Sequence, residues 1–126
     1  MSDHPMRTGT GLRRLSQATR YSLQGLRHAW ASESAFRQEI LLAAIMLPAS
    51  WVLGQTWTER VLLAGTVVLV LIVELLNSAL EAAVDRVSME LHPLAGRAKD
   101  MGSAAVLLSL LLCGACWATA LWSRWA

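Results

Sequence analysis

Residues 61–85 read VLLAGTVVLVLIVELLNSALEAAVD, and this stretch decides the fold. Its first thirteen residues, 61–73, carry no charge. The twelve residues that follow add five polar side chains, at Glu74, Asn77, Ser78, Glu81 and Asp85. These positions share one face of an α-helix, and a glutamate within an apolar helix has to face protein or water because facing lipid is costly. The stretch therefore predicts a transmembrane helix with one polar stripe.

The composition also indicates a membrane protein. Hydrophobic residues make up 55% of the chain and charged residues only 16%, whereas soluble domains carry about 25%. Two more stretches, 40–58 and 101–123, are free of charge and close to the roughly 20 residues that a helix needs to cross a bilayer. We therefore predict one three-span domain over residues 32–126, with spans at about 35–53, 58–84 and 97–123. The net charge of +2 does not indicate a nucleic-acid partner.

The N-terminal part has a different pattern. Residues 1–11 are polar and are predicted to be disordered. Residues 12–31 place leucines and a tryptophan on one helical face and arginines and glutamines on the other, which is typical of a helix on an anionic membrane surface. A soluble packing helix is the alternative. Ser32 is expected to cap the first span, with Glu33 in its first turn.

The segments between the spans also carry local signals. Thr56-x-x-Glu59 has the form of a capping box and predicts the start of the second span. Residues 85–100, which include Pro93 and Gly96, predict a polar connection. Small residues at four-residue steps near Gly102 and Ser109 would allow close packing of the third span. Cys113 and Cys116 have redox-motif spacing, but in an uncharged run we interpret them as apolar packing residues.

The distribution of basic residues predicts an orientation. Residues 1–39 carry six Lys or Arg and residues 85–100 carry three, so the positive-inside rule predicts a cytoplasmic N-terminus and an outside C-terminus. The second span would then run inward. At about 1.5 Å per residue, Glu74 lies roughly 20 Å from residue 61, and Glu81 lies about 10 Å further. A lipid hydroxyl could reach Glu74, and a water-soluble reagent could reach Glu81.

These residues also suggest chemistry. A buried carboxylate such as Glu74 is suited to act as a general base, and Glu81 with Glu33 could hold Mg²⁺ beside phosphate oxygens. Lys99 could bind a phosphate, and Asp100 could bind a metal ion or a sugar hydroxyl. On the residues alone, other interpretations stay open. Glu74 and Glu81 could be interhelical hydrogen-bonding groups, and Glu33 and Glu39 could be first-turn dipole partners. Lys99 and Asp100 could simply end a helix. The chain has no Walker A loop and no soluble-kinase motif.

Five motifs occur in a consistent order along the chain. They are Tyr21-Ser-x-x-Gly25-Leu26, Glu33-x-x-Phe36-Arg-Gln-Glu39, Glu74-Leu-Leu-Asn-Ser-Ala-Leu-Glu-Ala-Ala-Val-Asp85, Glu90-x-His92 and Gly96-Arg-Ala-Lys-Asp-Met-Gly-Ser103. Together they resemble the bacterial integral-membrane diacylglycerol kinase family from about residue 11 to the end. Residues 1–10, Leu23, Gln24 and Trp51 depart from that resemblance without touching the catalytic set.

The resemblance implies a homotrimer of three-span subunits with shared sites in the bacterial inner membrane, and Mg²⁺- and ATP-dependent phosphorylation of diacylglycerol. It places the catalytic base on Glu74, supported by Asn77, and metal ligands on Glu33 and Glu81. The nucleotide contacts that it implies are Arg14, Tyr21, Glu33, Glu81, Glu90, Leu91, His92, Lys99 and Asp100. The substrate contacts that it implies are Arg14, Ala35, Phe36, Arg37, Gln38, Glu39, Arg60, Glu74 and Ser103.

Three rival functions are distinguishable. Related Gram-positive proteins phosphorylate undecaprenol, so the same fold could serve that substrate. A small proton- or ion-coupled transporter could use intramembrane glutamates, but the charged residues from Glu81 to Asp100 cluster at one end instead of tracing a path across. A non-catalytic assembly subunit would need Glu74 only for association.

Overall fold

The computed structural model describes residues 11–87 and 93–126, and this part of the chain is helical with no strand. Its four helices are α1 (Gly11–Ser32), α2 (Ser34–Leu53), α3 (Trp57–Val87) and α4 (Pro93–Trp125). The last three are long and apolar enough to cross a membrane. The prediction of an all-α protein with one N-terminal helix and three spans is therefore confirmed. The disorder predicted for the first ten residues lies outside the described residues.

Helix α1 belongs to a compact unit, Met1–Ser34, that is separate from the unit Ala35–Ala126. It is amphipathic, with exposed leucines such as Leu12 and Leu15 along one stripe. The expectation that Ser32 caps α2 is wrong. The Ser32 hydroxyl donates back to the carbonyl of His28 at 2.6 Å, and the N–H of Glu33 donates to the carbonyl of Ala29 at 2.9 Å. These bonds satisfy carbonyls at the end of α1, so Glu33 lies between the helices and outside the first turn of α2.

The start of α3 has the capping box that the sequence predicts. The N–H of Glu59 donates to the Thr56 hydroxyl at 3.1 Å, and the Glu59 carboxylate accepts from the N–H of Gln55 at 3.0 Å. The first bond satisfies a backbone donor that the first turn of a helix leaves without a partner, and the second holds the residue that precedes the cap. The helix therefore begins at Trp57.

Arg60 closes the turn between α2 and α3. Its Nε donates to the carbonyl of Trp51 at 3.0 Å, and its guanidinium lies 4.6 Å from the Trp51 ring centre and 5.3 Å from that of Trp57. Gly54 is buried beneath it, and a Cβ there would come within 2.6 Å of Arg60 Cγ. The turn therefore requires glycine at position 54.

Helices α3 and α4 pack along each other, and α2 adds to the same core. The residues at its centre are Ala43, Val67, Val70 and Cys113. The indole N–H of Trp117 on α4 donates to the carbonyl of Leu63 on α3 at 3.1 Å, which fixes the register of the two helices. Cys113 is buried and free, so the interpretation as an apolar packing residue is confirmed for it.

The ends of α3 and α4 extend beyond the predicted spans. α3 continues to Val87 and α4 already begins at Pro93, so the predicted polar connection 85–100 is wrong for the residues of that range that lie in these helices. Proline is favoured in the first helical turn, where its missing N–H costs nothing. An ion pair between Asp85 and Lys99, described below, joins the two helices within the range that was predicted to be a connection.

Candidate active site

The polar stripe of α3 lies on the protein side of the helix. Glu74, Asn77 and Glu81 are half-buried, whereas Leu76, on the opposite side, is 65% exposed. The orientation follows from the cost of placing carboxylates and amides against lipid. It turns three of the predicted site residues toward the neighbouring helices.

Glu74 meets a second carboxyl group. The carboxyl groups of Glu74 on α3 and Glu39 on α2 are close enough to interact electrostatically. Oε1 of Glu39 is buried, and no N–H or hydroxyl donor of the described residues satisfies it. The resemblance implies a substrate contact for Glu39, whereas its proximity to Glu74 depends on the rotation of α2 relative to α3, which is a tertiary property.

Asn77 packs against α4 one turn further along α3. Its Oδ1 is buried without a hydrogen-bond donor among the described residues. Gly102 provides the space for it, since a Cβ at position 102 would collide with Oδ1 and come within 2.9 Å of Leu80 Cδ2. The prediction of close packing at Gly102 is therefore confirmed.

This part of the bundle is rich in acceptors and poor in donors. Buried acceptors without partners are rare in folded proteins, and each of these calls for a donor that the described residues do not supply. A hydroxyl group brought by a ligand would be such a donor. The cluster of Glu39, Glu74 and Asn77 is therefore suited to receive an alcohol and to accept its proton.

The ends of α3 and α4 form a charged cluster. Nζ of Lys99 lies 2.6 Å from Oδ1 of Asp85, and the Glu81 carboxylate is close enough to interact electrostatically with the same ammonium group. The side chains of Lys99 and Asp85 are 43% and 63% exposed, so the cluster is open to water-soluble molecules. Asp85 lies on the polar stripe that the sequence predicts, and its ion pair with Lys99 is a finding of the structure.

The cluster fits a magnesium ion only in combination with phosphate. No group of three histidine, cysteine or acidic side chains that could hold a metal occurs in residues 11–87 and 93–126. Mg²⁺ does not require such a cage, because it is usually bound by one or two carboxylates together with phosphate oxygens and water. The half-buried Glu81 carboxylate meets that requirement.

The other predicted site residues fall into four groups. Phe36 is buried and Arg37 is half-buried, whereas Ala35, Gln38, Asp100 and Ser103 are exposed. Arg60 is distant from the cluster, since fourteen residues of α3, or about 21 Å, separate it from Glu74. Arg14, Tyr21 and Glu33 belong to the first unit, and Glu90, Leu91 and His92 lie outside the described residues.

Known proteins match this chain over nearly its whole length. The profile of the family described as prokaryotic diacylglycerol kinase matches residues 20–121. A protein named diacylglycerol kinase from Escherichia coli is 52% identical over 118 residues, which cover 91% of this chain and 94% of the relative. The proteins of that name from Pseudomonas aeruginosa and Haemophilus influenzae are each 50% identical, over 96% and 86% of this chain and 98% and 92% of their own.

Proposed function

The chain belongs to the prokaryotic diacylglycerol kinase family, and we propose that it transfers the γ-phosphate of ATP to the free hydroxyl of diacylglycerol. The product would be phosphatidic acid. The observation that carries the proposal is the arrangement along α3. Glu74 and the buried acceptor of Asn77 lie on its protein-facing side, and the charged cluster follows on the same helix. One helix thus serves a lipid alcohol and a soluble nucleotide.

Glu74 is the general base in this proposal. It accepts the hydroxyl proton as the oxygen attacks the γ-phosphorus, and Asn77, one turn away, helps to hold the hydroxyl in line. Phosphoryl transfer needs little covalent chemistry from the protein, so positioning and electrostatic stabilisation supply most of the acceleration. The buried acceptors of Glu39 and Asn77, which no donor among the described residues satisfies, support this role because a substrate hydroxyl beside Glu74 would supply a donor.

The charged cluster would hold the nucleotide. Lys99 offsets charge that develops on the phosphates, and Glu81, with Glu33, provides carboxylate ligands for Mg²⁺. A Mg²⁺ ion held by these carboxylates would supply positive charge that offsets the charge developing on the phosphates. The remaining nucleotide contacts are assigned to Arg14, Tyr21, Glu90, Leu91, His92 and Asp100. The lipid-side contacts are assigned to Arg14, residues 35–39, Arg60 and Ser103.

The assembly and location form part of the same proposal. We place the protein in the bacterial inner membrane as a homotrimer with sites shared between subunits, with the N-terminus in the cytoplasm and the C-terminus in the periplasm. Support comes from the basic residues at 1–39 and 85–100. At most 28% of the most apolar window of any span is buried within one chain, which leaves ample surface for lipid and for other copies.

The test is phosphate transfer by purified protein in mixed micelles, with ATP labelled at the γ-position and with diacylglycerol or undecaprenol as acceptor. Labelled phosphatidic acid as the main product is the expected result. Phosphorylated undecaprenol alone would reject the substrate and keep the fold. Transfer to neither acceptor by folded protein would reject the proposal.

The base assignment has its own test. Glu74→Gln is expected to abolish transfer while the protein still folds and elutes as the wild type does. Substantial activity in this variant would show that another group removes the proton. A variant that changes association and leaves the activity per assembled protein intact would instead support the assembly role.

A further inference from the structure

A groove between α3 and α4 opens at the end of the bundle opposite the charged cluster. Its volume is about 300 Å³, and its apolar lining includes Leu63, Ala115 and Ala120. Ligand pockets in proteins hold about 300–1,000 Å³, so the groove has room for a segment of an acyl chain. The proposed reaction does not use this groove, because Glu59 at its rim lies about 22 Å along α3 from Glu74.

The rim of the groove combines a carboxylate with two hydroxyl groups whose protons are already engaged. The Thr119 hydroxyl donates to the carbonyl of Ala115 at 2.8 Å, and the Ser123 hydroxyl donates to the carbonyl of Thr119 at 2.9 Å. The Glu59 carboxylate accepts the N–H of Gln55 through Oε1 and keeps further lone pairs. These three oxygen-bearing side chains of the lining therefore act as acceptors toward any further partner.

The basic residues that adjoin the rim in sequence are turned elsewhere. Arg60 donates to the carbonyl of Trp51, and its guanidinium lies against the rings of Trp51 and Trp57. Arg124 is exposed and does not line the groove. The carbonyl groups at the C-terminus of α4 add a partial negative charge at the same end of the bundle. The charge of Glu59 is therefore available to a cationic ligand.

The groove lies where headgroups give way to hydrocarbon. Glu59 and Ser123 each lie two residues from a tryptophan, Trp57 at the start of α3 and Trp125 at the end of α4. Both tryptophans are exposed, as is typical of side chains at the membrane interface. Leu63 lies one turn deeper along α3. A molecule in the groove therefore places its polar part against the rim and its apolar part in the hydrocarbon.

We propose that this groove binds a membrane phospholipid whose headgroup ends in a primary ammonium. The ammonium contacts the Glu59 carboxylate and the hydroxyl oxygens of Thr119 and Ser123, and an acyl chain occupies the apolar part. A primary ammonium has one positive charge and three N–H donors, which match the charge and the three acceptors of the rim. A trimethylammonium headgroup has the charge without the donors, and Glu59 repels an anionic headgroup. The site is independent of the reaction proposed at Glu74.

Competition among three phospholipids tests the headgroup. Purified protein in detergent is incubated with equal amounts of phosphatidylethanolamine, phosphatidylcholine and phosphatidylglycerol that carry the same acyl chains, and the lipids retained after washing are measured by mass spectrometry. We expect phosphatidylethanolamine to be retained about tenfold over each of the others, because hydrogen bonds between charged groups change an equilibrium by at least that factor. Equal retention of the three lipids, or a preference for phosphatidylglycerol, would overturn the proposal.

Glu59→Gln separates the recognition of the headgroup from the capping of α3. Glutamine serves in a capping box as glutamate does, so its amide oxygen can still accept the N–H of Gln55 and the Tm in lipid-free detergent should not change. The preference for phosphatidylethanolamine should fall to less than about twofold. The kcat for lipid phosphorylation should stay at the wild-type value. A preference that persists at the wild-type level would show that Glu59 does not bind the ammonium.

A second pair of variants tests the apolar part of the groove. Ala120→Leu fills it and should remove the excess of retained phosphatidylethanolamine. Ala118→Leu is the matched control, because Ala118 is exposed on α4 and lies outside the groove, and it should retain lipid as the wild type does. If Ala120→Leu changes the size of the assembly and leaves the retained lipid unchanged, the groove is a contact between copies of the chain and the proposal is wrong.

Discussion

Substitution of Gly102 by alanine tests whether the contact between α3 and α4 positions Asn77. A methyl group at position 102 would collide with Asn77 Oδ1 and approach Leu80 Cδ2 to 2.9 Å. Overpacking of this kind costs about 1–3 kcal/mol of unfolding free energy. Alanine recovers about 1 kcal/mol over glycine within a helix. We therefore expect a net loss of about 0–2 kcal/mol, which a folded protein tolerates.

The effect on activity should be much larger. Asn77 has to move by about 1 Å to accommodate the methyl group, and a displacement of that size near the reacting groups can lower the rate about 100-fold. We expect Gly102→Ala to lower kcat for lipid phosphorylation by about that factor while its Tm falls by only a few degrees. The activity should be measured in mixed micelles at saturating ATP and lipid.

Gly114→Ala is the matched control on the same helix. No atom outside the local helix lies within 4 Å of a Cβ built at position 114, so this variant should keep both Tm and kcat. In an Asn77→Ala background the collision with the amide disappears. Gly102→Ala should then add little to the loss in kcat. If the two substitutions change the activation free energy additively, within about 0.5 kcal/mol, residues 77 and 102 act independently and the reasoning is refuted.

Three further predictions concern the charged cluster and the α2–α3 turn. Glu81→Ala should raise the Mg²⁺ concentration needed for half-maximal activity, and an unchanged Mg²⁺ titration would exclude it as a ligand. Asp85→Asn releases Lys99 from its 2.6 Å ion pair, so the KM for ATP should rise without a change in Tm; a lower Tm with an unaltered KM would make the pair purely structural. Arg60→Met removes a hydrogen bond to the Trp51 carbonyl and two ring contacts, which should lower the free energy of unfolding by about 2–4 kcal/mol. Unchanged unfolding in micelles would show that Arg60 does not stabilise the α2–α3 turn.

The fold was predictable because the bilayer imposes a simple pattern. Charge-free runs of about twenty residues are rare outside membrane spans, and the turn at Thr56 carries its signal in four consecutive residues. Helix ends were less predictable. The extension of α3 and α4 coincides with an ion pair between residues fourteen apart, Asp85 and Lys99. The end of α1 depends on whether the Ser32 hydroxyl bonds to the last turn of α1 or caps the first turn of α2, and it bonds to the His28 carbonyl of α1.

The site was predictable only as far as one helix reaches. Spacing along α3 is enough to place Glu74, Asn77 and Glu81 on one face. What meets that face depends on the rotation of α2 and α4 about their own axes, which single-sequence patterns do not record. The proximity of the Glu39 and Glu74 carboxyl groups and the fit of Asn77 to Gly102 are therefore structural findings. The one sequence signal for Glu39 was its position as the last charge before the apolar run 40–58.

The length of α3 explains how one small bundle can serve a lipid and a nucleotide. With 31 residues the helix is about 46 Å long, whereas the hydrocarbon core is about 30 Å thick. Roughly ten residues must therefore lie beyond the hydrocarbon at one or both ends. The uncharged run 61–73 is the part of α3 suited to the hydrocarbon core, so the end of the helix that carries Asp85 extends into the headgroup region. Glu74 directly follows the run, and a lipid hydroxyl can meet it there while phosphates approach from water.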